Sequence, residues 1–205
     1  MAQTMTPSKS MTDGQMAKIK ETLEAALRKA ALPSEFVQQV LATKGQGDLM
    51  IAEMVAVVRK FVEGVSKLII RRVTVNRARK PQEVLDATGR TQYTDPKVVA
   101  DMPHGEGDGE TEVVFFQVGR FISDADLDKE YELRGLKPAD PYSLAAVNEA
   151  DPAFADEKPN GTHWQDAEGK WCYATFNRWH DERKVHVDRS GFDWRGDWWF
   201  AGVRK

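Results

Sequence analysis

Three observations predict an α+β protein: an N-terminal helical bundle, then a mixed region ending in an antiparallel sheet. Apolar residues recur at helical spacing through the first third of the 205-residue chain. β-Branched residues take over at Leu68, and all six tryptophans lie between Trp164 and Trp199. The boundaries that follow are a flexible N-terminus over 1–13, a helical segment over 14–67 and an α+β domain over 68–205 with a C-terminal antiparallel β-meander.

The first helix starts after Thr12 and Asp13, both good N-caps, and its apolar stripe is Met16, Ile19, Leu23, Ala26, Leu27 and Ala30. Pro33 ends it and opens SEFVQQVLATKG, which stops at Gly45. Asp48 begins LMIAEMVAVVRKFVEG, closed by Gly64, with a broad face of Met50, Met54, Val57, Val58, Phe61 and Val62. Short connections between the three suggest a small bundle. Met50 and Met54 suit an adaptable docking groove, but plain core filling is the simpler reading.

LIIRRVTVN (68–76) is the first strand, with Val73 and Val75 alternating against polar neighbours. Pro81 starts a short helix that ends at Gly89, and Asp95-Pro96 starts another. HGEGDGETE (104–112) reads as an acidic surface loop, and EVVFFQV (112–118) as a strand covered on both faces. Ser123 with Asp126 makes a capping-box-like start for DADLDKEYEL, stopped by Gly135, and Asp140-Pro141 opens the next helix. From Thr162 the pattern turns to antiparallel β: a hairpin around Gly169, then KVHVDR, then WWFAGVR as the last strand of the meander. The short helices of 82–150 are expected to cover one face of this sheet.

Composition excludes several classes. A 41% hydrophobic, 30% charged chain of net charge −3 is ordinary for a globular protein and carries no global nucleic-acid or membrane-surface signature. With Cys172 as its single cysteine it forms no internal disulfide and no thiolate-rich zinc site. The N-terminus lacks a secretory apolar core, and no apolar run approaches the roughly 18 residues of a membrane span. A cytoplasmic protein with no membrane partner is the expectation.

Four tracts together resemble a group of uncharacterised bacterial proteins: LDATGRTQYTD (85–95), VFFQVGRFISDADLDKEYELRGLKPADPYSLAAVNEADPAFAD (114–156), NGTHWQDAEGKWCYATFNRW (160–179) and DWWFAGVRK (197–205). The resemblance covers about residues 69–205. It implies a modular plan, in which a variable helical front is joined to a common α+β body, and it assigns no activity, ligand or catalytic residue.

Candidate chemistry concentrates in two places. The C-terminal histidines His163, His180 and His186, with Asp188, are the candidate catalytic set, since imidazoles titrate near neutral pH and a carboxylate can orient them. Alternation puts Val185 and Val187 on one strand face and His186 and Asp188 on the other, so a solvated strand and turn explain these residues more simply. Their spacing matches no zinc pattern. Cys172, placed mid-strand, reads as a buried inert thiol.

The basic run Arg71, Arg72, Arg77, Arg79 and Lys80 is the candidate nucleic-acid-binding set, although strand alternation divides it between faces. HGEGDGE lacks the arrangement of a calcium-binding loop, and no glycine motif for phosphate occurs. Neither a metal nor a cofactor is expected.

The reading that follows is a non-enzymatic binding or adaptor module whose partner is another protein. Its alternatives are a hydrolase or nuclease-like enzyme built on the C-terminal histidines, and a nucleic-acid binder acting through 71–80.

Overall fold

The computed structural model describes residues 11–66, 68–107 and 109–205, and the expected flexible segment 1–13 falls largely outside them. The chain divides into two compact units, Met1–Val65 and Ser66–Lys205.

The first unit holds α1 (Asp13–Ala30), α2 (Ser34–Ala42) and α3 (Gln46–Ser66). Thr12 caps α1 reciprocally: its hydroxyl accepts from the Gln15 amide, and the Gln15 side chain accepts from the Thr12 amide. α3 runs through Gly64, because one glycine costs a helix only about 1 kcal/mol. The apolar stripes form as the spacing predicts, yet none of the described side chains in the three helices is buried. Leu27, Phe36, Leu41, Ile51, Val55 and Phe61 all stand exposed. A shared bundle core is therefore absent among the described residues.

The second unit is an open mixed sheet flanked by short helices. Its elements are β1 (Leu68–Val75), α4 (Pro81–Ala87), β2 (Thr91–Thr94), α5 (Pro96–Ala100), β3 (Gly109–Gln117), α6 (Asp124–Leu133), β4 (Leu136–Pro138), α7 (Pro141–Ala150), α8 (Phe154–Glu157), β5 (Asn160–Gln165), β6 (Trp171–Trp179), β7 (Glu182–Arg189) and β8 (Trp199–Arg204). The strand order is β1-β3-β8-β5-β6-β7-β2, with β4 paired to β8. Pro81, Pro96 and Pro141 each begin a helix, and Asp95, Ser123 and Asp140 accept amide hydrogen bonds as N-caps.

Both faces of the sheet are covered. Val113 and Phe115 of β3 pack with α4, α5, α7 and α8, while Val114 and Phe116 pack with α6 and Trp194. This explains why the β3 sequence shows no alternation. It also corrects the one-face expectation: α6 sits on the opposite face, where Tyr131 meets Phe116 edge-on at 4.9 Å.

The meander is real for β5-β6-β7 but does not extend to β8. β8 returns to the sheet centre, antiparallel to β3 and parallel to β5. Phe200 and Ala201 point to opposite faces and are both 0% exposed, which requires cover above and below and a strand on each side. Of the tryptophans, Trp194 is fully buried, whereas Trp179 is 53% exposed.

Candidate functional site

One edge of β8 serves two strands. Trp199 and Phe200 pair with Asn160 and Gly161 of β5, while residues 202–204 pair with β4. β5 thus leaves β8 after Gly161, and residues 162–165 keep β6 as their ladder partner. The split is closed at its narrow end, where the Thr162 hydroxyl donates to the Ala139 carbonyl at 2.6 Å. A cleft of about 660 Å³ opens beyond it, lined by Asp128, Lys137, His163, Trp164, Trp171 and Arg204 among others.

His163 borders this cleft from beneath and is only 1% exposed. Strand alternation turns its ring toward α6, where Asp124 and Asp128 stand one turn apart on the same helix face. Nδ1 lies 2.8 Å from Asp124 Oδ1, and the Trp194 indole N–H donates to that same oxygen at 2.8 Å. Nε2 is 3.0 Å from Asp128 Oδ1, an ion-pair distance without the alignment of a hydrogen bond. Trp171 stacks on the imidazole at 4.8 Å with 14° between planes.

The electrostatics follow from this cage. Burial opposes a charged His163, but the carboxylates of Asp124 and Asp128 outweigh it and raise its pKa above the usual value. Burial likewise opposes ionisation of Asp124, and hydrogen bonds from His163 and Trp194 more than offset it, holding that carboxyl below its usual range. The arrangement is an imidazole ring held between two carboxyl groups, which favour its protonated form. It joins α6, β5 and the Trp194 segment, and Nε2 is shut off from solvent.

The far end of the cleft is pinned by Arg77. Its guanidinium donates to Asp140 Oδ2 at 2.9 Å, to Ser143 Oγ at 2.8 Å and to the carbonyls of His104 and Gly107. Gly105 is obligatory here: φ is +72°, and an added Cβ would fall 2.3 Å from Asp140 Oδ2. The glycine-acid loop is therefore tied down by a cation from the protein itself. No group of three or more His, Cys, Asp or Glu side chains suited to a metal ion occurs among the described residues.

The candidate catalytic set does not converge. His180 sits in the exposed β6-β7 turn at φ 51°, against the Trp179 ring. His186 stacks on Tyr93 at 5.0 Å, and its pKa is lowered, first by burial and then by the Lys184 charge. Asp188 is exposed, and the register places Tyr173 between it and His163. Cys172 is buried and free, and desolvation raises its thiol pKa, the reverse of a nucleophile's tuning.

The basic set is likewise spread out. Arg71 covers the Phe154 ring at 4.8 Å, Arg72 meets Glu112 at 3.3 Å and Arg79 meets Glu149 at 2.7 Å. Arg77 is spent on the loop, and the Lys80 amide starts α4 by bonding to the Glu83 side chain. These contacts neutralise much of the charge that the sequence displays as one run.

Asp124 and Asp128 are the site residues that sequence reasoning missed. Their signal was present in DADLDKEY, where Asp124, Leu127, Asp128 and Tyr131 share one helix face and place two carboxylates among apolar neighbours. No family model, curated protein or solved structure matches the chain.

Proposed function

We propose that the protein is a non-enzymatic binding module that engages another protein through its helical unit. The observation that carries this reading is that α1, α2 and α3 bury none of their described side chains although each bears an apolar stripe. Covering one Leu, Ile, Val or Phe side chain is worth about 1.5–3 kcal/mol, so a partner that masks several gains substantial affinity. Met50 and Met54 on α3 add an adaptable surface. The modular plan implied by the bacterial resemblance agrees with this division: a variable helical front selects partners, and a common body carries it.

A hydrolase reading draws less support, because the histidine that lines the described cleft has its Nε2 covered by Asp128.

The test combines a fluorescent apolar dye with mass measurement by light scattering on the full chain, repeated on Val55→Asp and Phe61→Asp. An open surface binds dye as a monomer. A surface already covered by a second copy gives a mass above 23.1 kDa. Either result should be lost or reversed in the two variants. A monomer that binds no dye, with helicity unchanged by both substitutions, overturns the proposal.

A further inference from the structure

The split between β4 and β5 turns several polar groups toward the cleft that it opens. The Asp166 amide donates to the Lys170 carbonyl across the β5-β6 hairpin. Alternation therefore turns the main-chain groups of Trp164 toward β6, and those of His163 and Gln165 toward the cleft. The His163 ring borders the same space. Its side chain is fully buried, Asp124 holds Nδ1, and Nε2 has no aligned hydrogen-bond partner. The group nearest Nε2 is the carboxylate of Asp128, at 3.0 Å on a side chain that is 47% exposed. Asp128 can thus turn into solvent without burying a charge, and its present position marks where a carboxylate meets this imidazole.

Cations approach the split from both faces of the sheet. Lys137 is the ladder partner of Val203, on the face of Ala139 and Ala201, whereas Arg204 pairs with Leu136 on the face of Phe200. Among the described residues Lys137 has no ion pair, and Arg204 meets Glu112 at 3.4 Å. Asp128 and Glu106 also line the cleft, so a monoanion is accommodated where a phosphate dianion is repelled. Asp140 takes no part, because Arg77 holds it.

The shape selects a compact ligand. The Thr162–Ala139 hydrogen bond closes one end of the cleft, and the loop pinned by Arg77 bounds the other. Its volume of about 660 Å³ lies within the roughly 300–1,000 Å³ of small-molecule sites. Trp164 and Val203, both half-buried against the core that α7 covers, supply an apolar wall.

We propose that this cleft binds a small aromatic monocarboxylate. The ligand's carboxylate takes the place of the Asp128 side chain at His163 Nε2, between Lys137 and Arg204, and its ring lies along Trp164 and Val203. An imidazole already paired to Asp124 through Nδ1 is fixed in orientation and offers Nε2–H as a charge-assisted donor. The site belongs wholly to the second unit, and it stands or falls separately from the reading of the helices above.

The probe is 3-phenylpropionate, titrated to millimolar concentration at about pH 6 into the isotope-labelled full chain. The controls are 3-phenylpropanamide, which has the same shape without the charge, and inorganic phosphate. The carboxylate should shift the indole N–H resonances of Trp164 and Trp171 and the ring resonances of His163, and leave Trp179 on the β6-β7 turn unmoved. The amide should bind at least about tenfold more weakly. Lys137→Gln, an exposed substitution, should also weaken the carboxylate about tenfold. Asp128→Asn should tighten it about tenfold, because the competing carboxylate is gone; a purely structural Asp128 would give the opposite result. The proposal is overturned if millimolar 3-phenylpropionate shifts none of these resonances, if the amide binds as tightly, or if Lys137→Gln changes nothing. It is equally overturned if Asp128→Asn fails to tighten binding, or if phosphate produces the same shifts at the same concentration.

Discussion

Replacing Asp124 tests whether the buried cage stabilises the α+β body as its geometry implies. Asp124→Ala leaves the Trp194 indole N–H buried with no acceptor, which costs about 1–3 kcal/mol. It also strips His163 of its better-aligned counter-ion, a loss of about 1.5–3 kcal/mol for a charged hydrogen bond. His163 can respond by giving up its proton, so the two losses do not simply add, and about 3–5 kcal/mol is the expected total. Asp124→Asn keeps an oxygen for Trp194 and removes only the charge, so it should cost roughly half as much.

The pH dependence carries the sign. The folded pKa of His163 is raised, so its contribution is complete below the unfolded value near 6.5 and is lost as pH rises through the folded value. The folded pKa of Asp124 is lowered, so its contribution is present above about 3.9 and is lost as pH falls through the folded value. The gap between wild type and Asp124→Asn should therefore be widest near pH 5–6 and shrink on both sides. Denaturant unfolding followed by intrinsic fluorescence reads the body alone, because all six tryptophans lie in it. A gap that does not narrow as His163 loses its proton, followed by NMR in the same samples, or an Ala variant no worse than the Asn variant, would refute the reasoning.

Gly105→Ala should destabilise the body by at least about 2 kcal/mol, since it combines a left-handed backbone with a clash on Asp140 that breaks the Arg77 pin; a loss under about 0.5 kcal/mol in the same unfolding assay would contradict this. Proton NMR titration should find His163 titrating above His186, on opposite sides of the ordinary value, and the reverse order would mean that the carboxylates do not dominate. His180 and Asp181 form a two-residue turn at φ 51° and 63°, so replacing them together with Asn-Gly should raise stability by about 0.5–1 kcal/mol and the melting temperature by a few degrees; an unchanged melt would count against strain there.

What could be read in the sequence was what neighbouring residues decide. Pro81, Pro96 and Pro141 mark helix starts because a missing N–H costs nothing there, and Gly135 and Gly169 mark positive-φ positions that most residues resist. Alternation placed Val185 and Val187 inward, and both are 0% exposed. What could not be read was which strand meets which. β2 and β4 are four and three residues long and exist only because β7 and β8 supply their hydrogen bonds. The central place of β8 likewise depends on β3, some eighty residues away in sequence.

The two half-legible histidines show why partner identity decides chemistry. His163 and His186 lie on strands separated by β6, and the register turns both toward the same sheet face. Both lose solvation, which alone would favour the neutral ring. Over His163 lies the start of α6, with two carboxylates one turn apart; beside His186 stands Tyr93 of the adjacent strand β2, and the Lys184 ammonium belongs to β7 itself. The opposite shifts therefore come from what surrounds each ring: two carboxylates of α6 at His163, and burial together with the Lys184 charge of β7 itself at His186. A sequence pattern reports the strand, and the cover is chosen by topology: β8 leaves β5 free after Gly161, and α6 then packs its Asp124–Asp128 face onto the exposed side of that strand. The acidic i, i+4 pair ahead of β4 and the isolated histidine on β5 thus form one feature, forty residues apart in the chain and joined by the split in the sheet.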